Sequence, residues 1–264
     1  MKLPVHEQFI EQAIGYVSQD QRFAGLLAGG SMMHGTMDEF SDLDLIVVYD
    51  SEFRREVMEQ RFRIAEGMGS LLSAFTGEHV GEPRLLICLY GPAALHVDLK
   101  FVQSEELKSR IENPIILWER GSEISSILNE SNPSFPSPDP QWIEDRFWVW
   151  VHYGAAKLGR GEWFECIDLV TFMRSAVLGP LAHIRSGHLP RGVRKLETCT
   201  PELLAELQGT VPKHSFDSCY RALKNTIALY LRLRDTGQIV PRKEAEWVSV
   251  EYLDAIFASR SEQE

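Results

Sequence analysis

The stretch that decides the fold runs from Ala28 to Asp50 and reads AGGSMMHGTMDEFSDLDLIVVYD. It begins with a glycine-serine turn at 29–31, continues through a polar loop, and carries Asp42 and Asp44 into an apolar run. If that run is a β-strand, carboxylates at positions i and i+2 lie on the same face. Aspartate is depleted in strands, so two in phase need a reason, and a divalent cation is the usual one.

The segments around this stretch predict a small mixed sheet with helices. Apolar spacing predicts a first helix over His6–Gln19, and Ser51–Thr76 reads as a long helix after the aspartate-bearing strand. A Gly91-Pro92 turn between two apolar runs predicts a hairpin, which makes the sheet mixed. The predicted strands are Phe23–Ala28, Leu45–Tyr49 with its two aspartates, Arg84–Tyr90, Leu95–Val102 and Ile115–Trp118.

The character of the chain changes after residue 130. Residues 131–139 read SNPSFPSPD, with three prolines and three serines, which is typical of a linker. Beyond it the apolar residues recur at helical spacing, as in a bundle. The sequence therefore predicts an α+β chain with a sheet domain at 1–130, a Pro/Ser-rich linker at 131–140 and a helical bundle at 141–264.

Charge and composition narrow the class of protein. The net charge is −11, which argues against a nucleic-acid binder because such affinity depends on Lys and Arg at phosphates. The four cysteines are scattered, so neither a zinc cluster nor a disulfide framework is indicated. The start lacks the apolar core of a signal peptide, and no apolar run approaches membrane-spanning length. A cytoplasmic protein without membrane contact is the expectation.

A third aspartate turns separate weak signals into one hypothesis. Taken alone, a DLD sequence before a strand is usually a turn whose carboxylates are exposed to solvent, and a GGS sequence is usually a turn. Asp98 alone would be interpreted as a residue on the solvent-exposed face of a strand. If the strands carrying Asp44 and Asp98 are neighbours, three carboxylates converge and would repel one another without a cation. Mg²⁺ takes oxygen ligands and leaves room for substrate phosphates. The turn N–H groups and the Ser31 hydroxyl could then hold phosphate oxygens.

The spacing of these residues resembles that of a known superfamily. Gly30-Ser31, Gly35 and Ser41-Asp42-Leu43-Asp44 follow the pattern GS-x3-G-x5-SD-x-D, which resembles the nucleotidyltransferases with a DNA polymerase beta-type palm. The resemblance implies that Asp42 and Asp44 bind two Mg²⁺ ions and that Gly30 and Ser31 hold a nucleoside triphosphate. It also implies that Asp98 joins the metals or takes the proton of the acceptor hydroxyl.

The domain layout resembles the lincosamide and aminoglycoside antibiotic nucleotidyltransferases. Residues 156–162, AKLGRGE, lie between two predicted helices as they do in those enzymes. The resemblance implies that Lys157 reaches the triphosphate, and a solvated helix-end lysine is the alternative. Gly29 and His34 stand where many relatives carry other residues, so the choice of nucleotide and acceptor stays open.

The resulting expectation is an Mg²⁺-dependent transferase of phosphorus-containing groups. It would move a nucleoside monophosphate, AMP from ATP, to a hydroxyl of a small antibiotic-like acceptor and release pyrophosphate. Asp98 suits the general base better than His34 or His96, although His96 shares its face. One alternative is a protein or tRNA acceptor, and another is an idle, antitoxin-like binding module. Relatives with this layout often pair, so a homodimer is a further expectation.

Overall fold

The computed structural model describes residues 3–261, and its internal contacts divide the chain into two units. The division falls between Phe135 and Pro136, inside the stretch predicted as a linker. We call the first part the sheet unit and the second part the helical unit.

The sheet unit contains a six-stranded mixed sheet in the order β3-β4-β5-β2-β1-β6, which confirms the predicted fold class. Its strands are β1 Phe23–Ala28, β2 Leu43–Tyr49, β3 Leu71–Gly77, β4 Glu82–Tyr90, β5 Leu95–Gln103 and β6 Ile115–Glu119. Its helices are α1 Pro4–Gln19, the single turn α2 Gly30–Met33, α3 Arg54–Met68 and α4 Glu123–Glu130, with 3₁₀ turns at Ser51–Phe53, Glu78–Val80 and Ser104–Lys108. β2 and β5 run parallel, whereas every other pairing in this sheet is antiparallel.

The long helix predicted over Ser51–Thr76 is wrong beyond Met68. The helix ends at Met68, and Leu71–Gly77 forms β3, which pairs with β4 at the edge of the sheet. Gly67 and Gly69 weaken the helix at this point. The run LLSAFT can adopt either structure, and pairing with β4 decides in favour of the strand because it satisfies the backbone hydrogen bonds of the segment.

Helices cover both faces of the central strands. Phe9 and Val17 of α1, with Val57 and Ile64 of α3, belong to the core on one face. Ile124 and Ile127 of α4 pack on the other face against a second set of strand residues that includes Leu27, Val48 and Val102. Because β2 is enclosed in this way, its side chains are buried or half-buried along its whole length.

The helical unit is a bundle of longer helices joined by short turns. Its elements are α5 Pro140–Gly159, α6 Trp163–Met173, a π-helical turn Arg174–Leu178, α7 Gly179–Arg185, α8 Leu196–Cys199, a 3₁₀ turn Pro201–Leu203, α9 Leu204–Gly209, α10 Phe216–Leu233 and α11 Lys243–Ser261. Glu144 of α5 is fully buried and accepts hydrogen bonds from the Tyr230 hydroxyl (2.6 Å) and the Trp148 indole (3.1 Å). Arg234 lies 3.3 Å from the same carboxylate, so the buried charge is paired.

One stretch of the helical unit corrects the expectation about apolar runs. Among residues 3–261, Trp163–Arg185 alone is long and apolar enough to cross a membrane, with a mean hydropathy of 1.2. In this structure 44% of that window is buried, and Cys166, Val170 and Met173 contribute to the core of the bundle. Core helices pass the same test of length and composition, so the stretch is weak evidence for a membrane span.

Candidate active site

The turn after β1 brings its backbone against Asp44. The Gly29 N–H donates to the Asp44 carbonyl at 2.7 Å, and Gly30 has a φ of +57°, in the left-handed region. A Cβ placed on Gly30 would lie 1.8 Å from Asp44 Oδ2. Glycine is therefore required here for two reasons, its backbone angle and the close approach of the carboxylate.

Ser31 follows with a hydroxyl that lacks a partner. Its Oγ is buried and makes no hydrogen bond to any protein atom among residues 3–261. The Ser31 carbonyl accepts from the Thr36 N–H at 3.1 Å, so the backbone is held while the hydroxyl is left for another group. A buried hydroxyl without a partner costs free energy, and a bound phosphate oxygen would satisfy it.

The parallel pairing of β2 and β5 places Asp44 and Asp98 side by side. Asp44 is the register partner of Asp98, as Leu43 is of Val97. Adjacent strands lie about 4.8 Å apart, and residues in register point to the same face. Both carboxylates are partly exposed on a sheet whose neighbouring positions are buried. Asp42 lies one residue before β2, so it enters the site from the loop and not from the strand.

Asp98 has a histidine partner. His96 Nε2 lies 3.0 Å from Asp98 Oδ1, and the two side chains are 51% and 24% exposed. The expectation that these residues share a face is met by this contact. Cys88 on the next strand is buried, and burial, with a smaller contribution from the Asp98 charge, raises the pKa of its thiol to about 12. The thiol therefore stays neutral and is a poor nucleophile or metal ligand.

The carboxylates at this site suit a cation whose coordination shell is completed by substrate phosphates. Within residues 3–261, no group of three or more His, Cys, Asp or Glu side chains is arranged as a metal cluster by itself. Mg²⁺ usually keeps several waters and binds through one or two carboxylates plus phosphates. This requirement is met by Asp44 and Asp98, which are in register, and by the unpartnered Ser31 hydroxyl in the turn after β1. Metal binding by Asp42, Asp44 and Asp98 stays a prediction.

The loop before β2 contains residues that sequence reasoning missed. His6 of α1 is 7% exposed, and its Nε2 lies 2.7 Å from the Ser41 carbonyl. Asp38 Oδ1 accepts from the Phe40 N–H and the Ser41 hydroxyl, both at 3.0 Å. Phe40 is left 87% exposed. An Asp followed three residues later by Ser is a turn signal, and a phenylalanine inside such a polar turn could have drawn attention.

Lys157 of the helical unit is paired with carboxylates. Its Nζ lies 2.5 Å from Glu162 and 2.7 Å from Glu165, and these contacts raise the pKa of Lys157. The Tyr153 hydroxyl donates to Glu165 at 2.7 Å. The lysine is thus held on a small ionic cluster, unlike the solvated helix-end lysine that was the alternative. Its role at a triphosphate stays a prediction.

Comparison with known families gives a match to the first part of the chain. Residues 10–82 match the model of a family described as "Nucleotidyltransferase domain". This stretch contains the glycine-serine turn, Asp42 and Asp44, and the match confirms the resemblance inferred from their spacing. No curated protein sequence gives a significant match.

Two solved structures are similar over most of the chain at low identity. One is an aminoglycoside 6-adenyltransferase from Bacillus subtilis, with 15% identity, coverage of 97% of this chain and 99% of that chain, and a TM-score of 0.40. The other is a nucleotidyltransferase-like protein from Exiguobacterium sibiricum, with 15% identity, coverage of 86% and 75%, and a TM-score of 0.32.

Proposed function

We propose that this chain, which carries a nucleotidyltransferase domain at residues 10–82, transfers AMP from ATP to a hydroxyl of a small molecule in a Mg²⁺-dependent reaction. The observation that carries the proposal is the parallel register of Asp44 with Asp98, beside a turn whose Gly30 touches Asp44. We further propose that the acceptor resembles an aminoglycoside or a lincosamide. It is supported by the domain layout of the sequence.

Each site residue has a defined part in the proposed reaction. Ser31 donates its hydroxyl to a phosphate oxygen, and Gly30 leaves space for the Asp44 carboxylate. Asp42, Asp44 and Asp98 would hold Mg²⁺, which when bound neutralises the triphosphate and lowers the pKa of the acceptor hydroxyl. The acceptor oxygen forms a bond to the α-phosphorus. The bond between the α-phosphorus and the oxygen that bridges the α- and β-phosphates breaks, and pyrophosphate leaves. Asp98 accepts the hydroxyl proton.

Lys157 is proposed as a second contact to the triphosphate. Its ammonium would have to share or leave the Glu162 and Glu165 carboxylates when the nucleotide binds. Lys157→Met should then raise the Kd for ATP, measured by isothermal titration. An unchanged Kd would limit Lys157 to its structural ion pairs.

A cytoplasmic location and a homodimer complete the proposal. α5 exposes Trp142, Val149 and Tyr153, which gives a partner copy an apolar face to contact. Light scattering coupled to size exclusion measures the mass directly. A measured mass equal to that of one chain at micromolar concentration would refute the proposed homodimer.

The reaction is tested by pyrophosphate release from each of the four NTPs, with and without Mg²⁺, against a panel of small hydroxylated acceptors. Asp44→Ala should abolish release, whereas Asp50→Ala, just beyond the opposite end of β2, should retain it. No NTP binding by the wild-type protein would refute the proposal. Binding without turnover on any small acceptor would favour a protein or tRNA acceptor, or a non-catalytic module.

A further inference from the structure

The sheet itself holds two of the three carboxylates of the candidate site. Asp44 and Asp98 are register partners, and the Gly29 N–H also donates to the Asp44 carbonyl at 2.7 Å. Asp42 precedes this pairing, which begins with Leu43 on β2. The position of the Asp42 carboxylate therefore depends on the loop that leads into the strand.

A histidine of α1 holds the end of that loop. His6 is 7% exposed, and its Nε2 lies 2.7 Å from the carbonyl oxygen of Ser41, which belongs to the Ser41–Asp42 peptide bond. Because a carbonyl oxygen only accepts hydrogen bonds, Nε2 is the nitrogen that carries the proton and donates. The peptide unit is planar, so a fixed carbonyl also fixes the direction in which the chain enters Asp42.

The packing of α1 gives His6 a fixed place. Phe9, three residues after His6, is buried, and its ring lies with its centroid 4.5 Å from that of Tyr90. Residues three apart in a helix are neighbours on its surface, so the packing of Phe9 also places His6. α1 shares a core with Leu43, whereas Asp44 alternates with Leu43 and points to the other face of the sheet. The helix therefore leaves the face of the carboxylates free.

The loop before Asp42 is closed by its own hydrogen bonds. The Ser41 N–H donates to the Asp38 carbonyl at 3.2 Å, and the Ser41 hydroxyl donates to Asp38 Oδ1 at 3.0 Å. These bonds shape the turn but connect only residues close in sequence. The contact with His6 spans 35 residues and ties the turn to the helix that packs on the sheet.

From these contacts we infer that His6 is a positioning residue for the metal site, because its imidazole fixes the Ser41–Asp42 peptide and thereby places the Asp42 carboxylate beside Asp44 and Asp98. The inference rests on the proposed function and adds to it a residue outside the glycine-serine and aspartate motif. Removing a group that orients a metal ligand typically costs about 10–100-fold in metal affinity or activity. We expect the lower end of that range, since His6 acts on one carboxylate of three.

The test removes the donor in two ways, by His6→Leu, which keeps an apolar side chain, and by His6→Ala. Isothermal titration of the full-length protein measures the Kd for ATP with and without Mg²⁺. Both variants should raise the Kd in Mg²⁺ about tenfold and leave the Kd without Mg²⁺ unchanged. His6→Gln, whose side-chain amide can donate in place of Nε2, should recover most of the affinity.

Val17→Ala is the matched control for a general loss of stability. Val17 is a fully buried core residue of the same helix, away from the loop. Its truncation should lower the midpoint of urea denaturation, because it removes buried methyl groups, and leave both Kd values unchanged.

Two further measurements separate positioning of Asp42 from a structural role of His6. In an Asp42→Asn background, His6→Leu should cause no further rise of the Kd in Mg²⁺, because it acts through the residue already changed. In the nucleotide-free protein, His6→Leu should shift the amide NMR resonance of Asp42, whose peptide loses the hydrogen bond. Val17→Ala should leave that resonance in place.

Four results would each overturn the inference while ATP binding by the wild-type protein stays dependent on Mg²⁺. They are an unchanged Kd in His6→Leu, an affinity of His6→Gln as low as that of His6→Leu, additive effects of His6→Leu and Asp42→Asn, and an unmoved Asp42 amide. Absence of Mg²⁺-dependent ATP binding in the wild-type protein would refute the proposed function and the inference together. The two kinds of failure are therefore distinguishable.

Discussion

Replacing Gly30 by alanine is expected to damage the site far more than the fold. The new Cβ would lie 1.8 Å from Asp44 Oδ2 and 2.8 Å from its Cγ, whereas ordinary contact begins near 3.4 Å. The carboxylate oxygen must therefore move by about 1.6 Å, the difference between 1.8 and 3.4 Å. A misplacement of about 1 Å can cost about 100-fold in rate, so pyrophosphate release should fall at least that far.

The cost in stability is set mainly by the backbone. Alanine in the left-handed region costs about 1–2 kcal/mol, offset in part by a lower entropy of the unfolded chain. The Asp44 side chain can rotate away, so the clash itself adds little to the free energy of unfolding. We expect Gly30→Ala to lower that free energy by about 1 kcal/mol, measured by urea denaturation followed by circular dichroism.

Gly35→Ala is the matched control. Gly35 has a φ of +61°, close to the +57° of Gly30, but a Cβ there would have open space around it. The two variants should lose similar stability, and only Gly30→Ala should lose activity and Mg²⁺-dependent ATP binding. A folded Gly30→Ala protein with activity within about threefold of Gly35→Ala would refute the role assigned to the Gly30–Asp44 approach.

Three further predictions concern other parts of the chain. Asp98→Asn should lower kcat by a factor of about 100 or more because it removes a proton acceptor, and it should also raise the Kd for ATP in the presence of Mg²⁺ because it removes a proposed metal ligand; a Kd that rises with no loss of kcat would make Asp98 a binding residue only. The Arg84 guanidinium lowers the pKa of Glu82 to about 2; Lys100 acts in the same direction, and burial acts in the opposite one. The contribution of the Glu82 carboxylate to stability is therefore present above its unfolded pKa of 4.5 and is lost as the pH falls towards 2. Glu82→Gln should therefore cost about 1 kcal/mol at pH 7 after solvent screening, and denaturation curves of variant and wild type should converge below pH 4.5. Glu144→Ala should destabilise the helical unit by about 3–5 kcal/mol because it leaves buried donors unpaired, whereas the exposed neighbour variant Asp145→Ala should cost less than about 1 kcal/mol in the same urea titration.

The sequence by itself determined the motif and most of the elements near it. The spacing from Gly30 to Asp44 is local, so it identified the turn, the loop and the strand without knowledge of the fold. The same holds for β1, whose residues Phe23–Ala28 agree with the predicted strand. Asp42 lies just outside β2, because strand ends depend on pairing that the local pattern does not contain.

Tertiary structure decided which distant residues meet. Leu71–Gly77 could be helix or strand until β4 offered a partner, and the sequence-based prediction chose wrongly there. Asp98 became the register neighbour of Asp44 only through the parallel pairing of β2 with β5. The contact of His6 with Ser41 spans 35 residues and left no periodic signal. Such long-range contacts depend on how elements pack, and this packing determined which residues surround the aspartates.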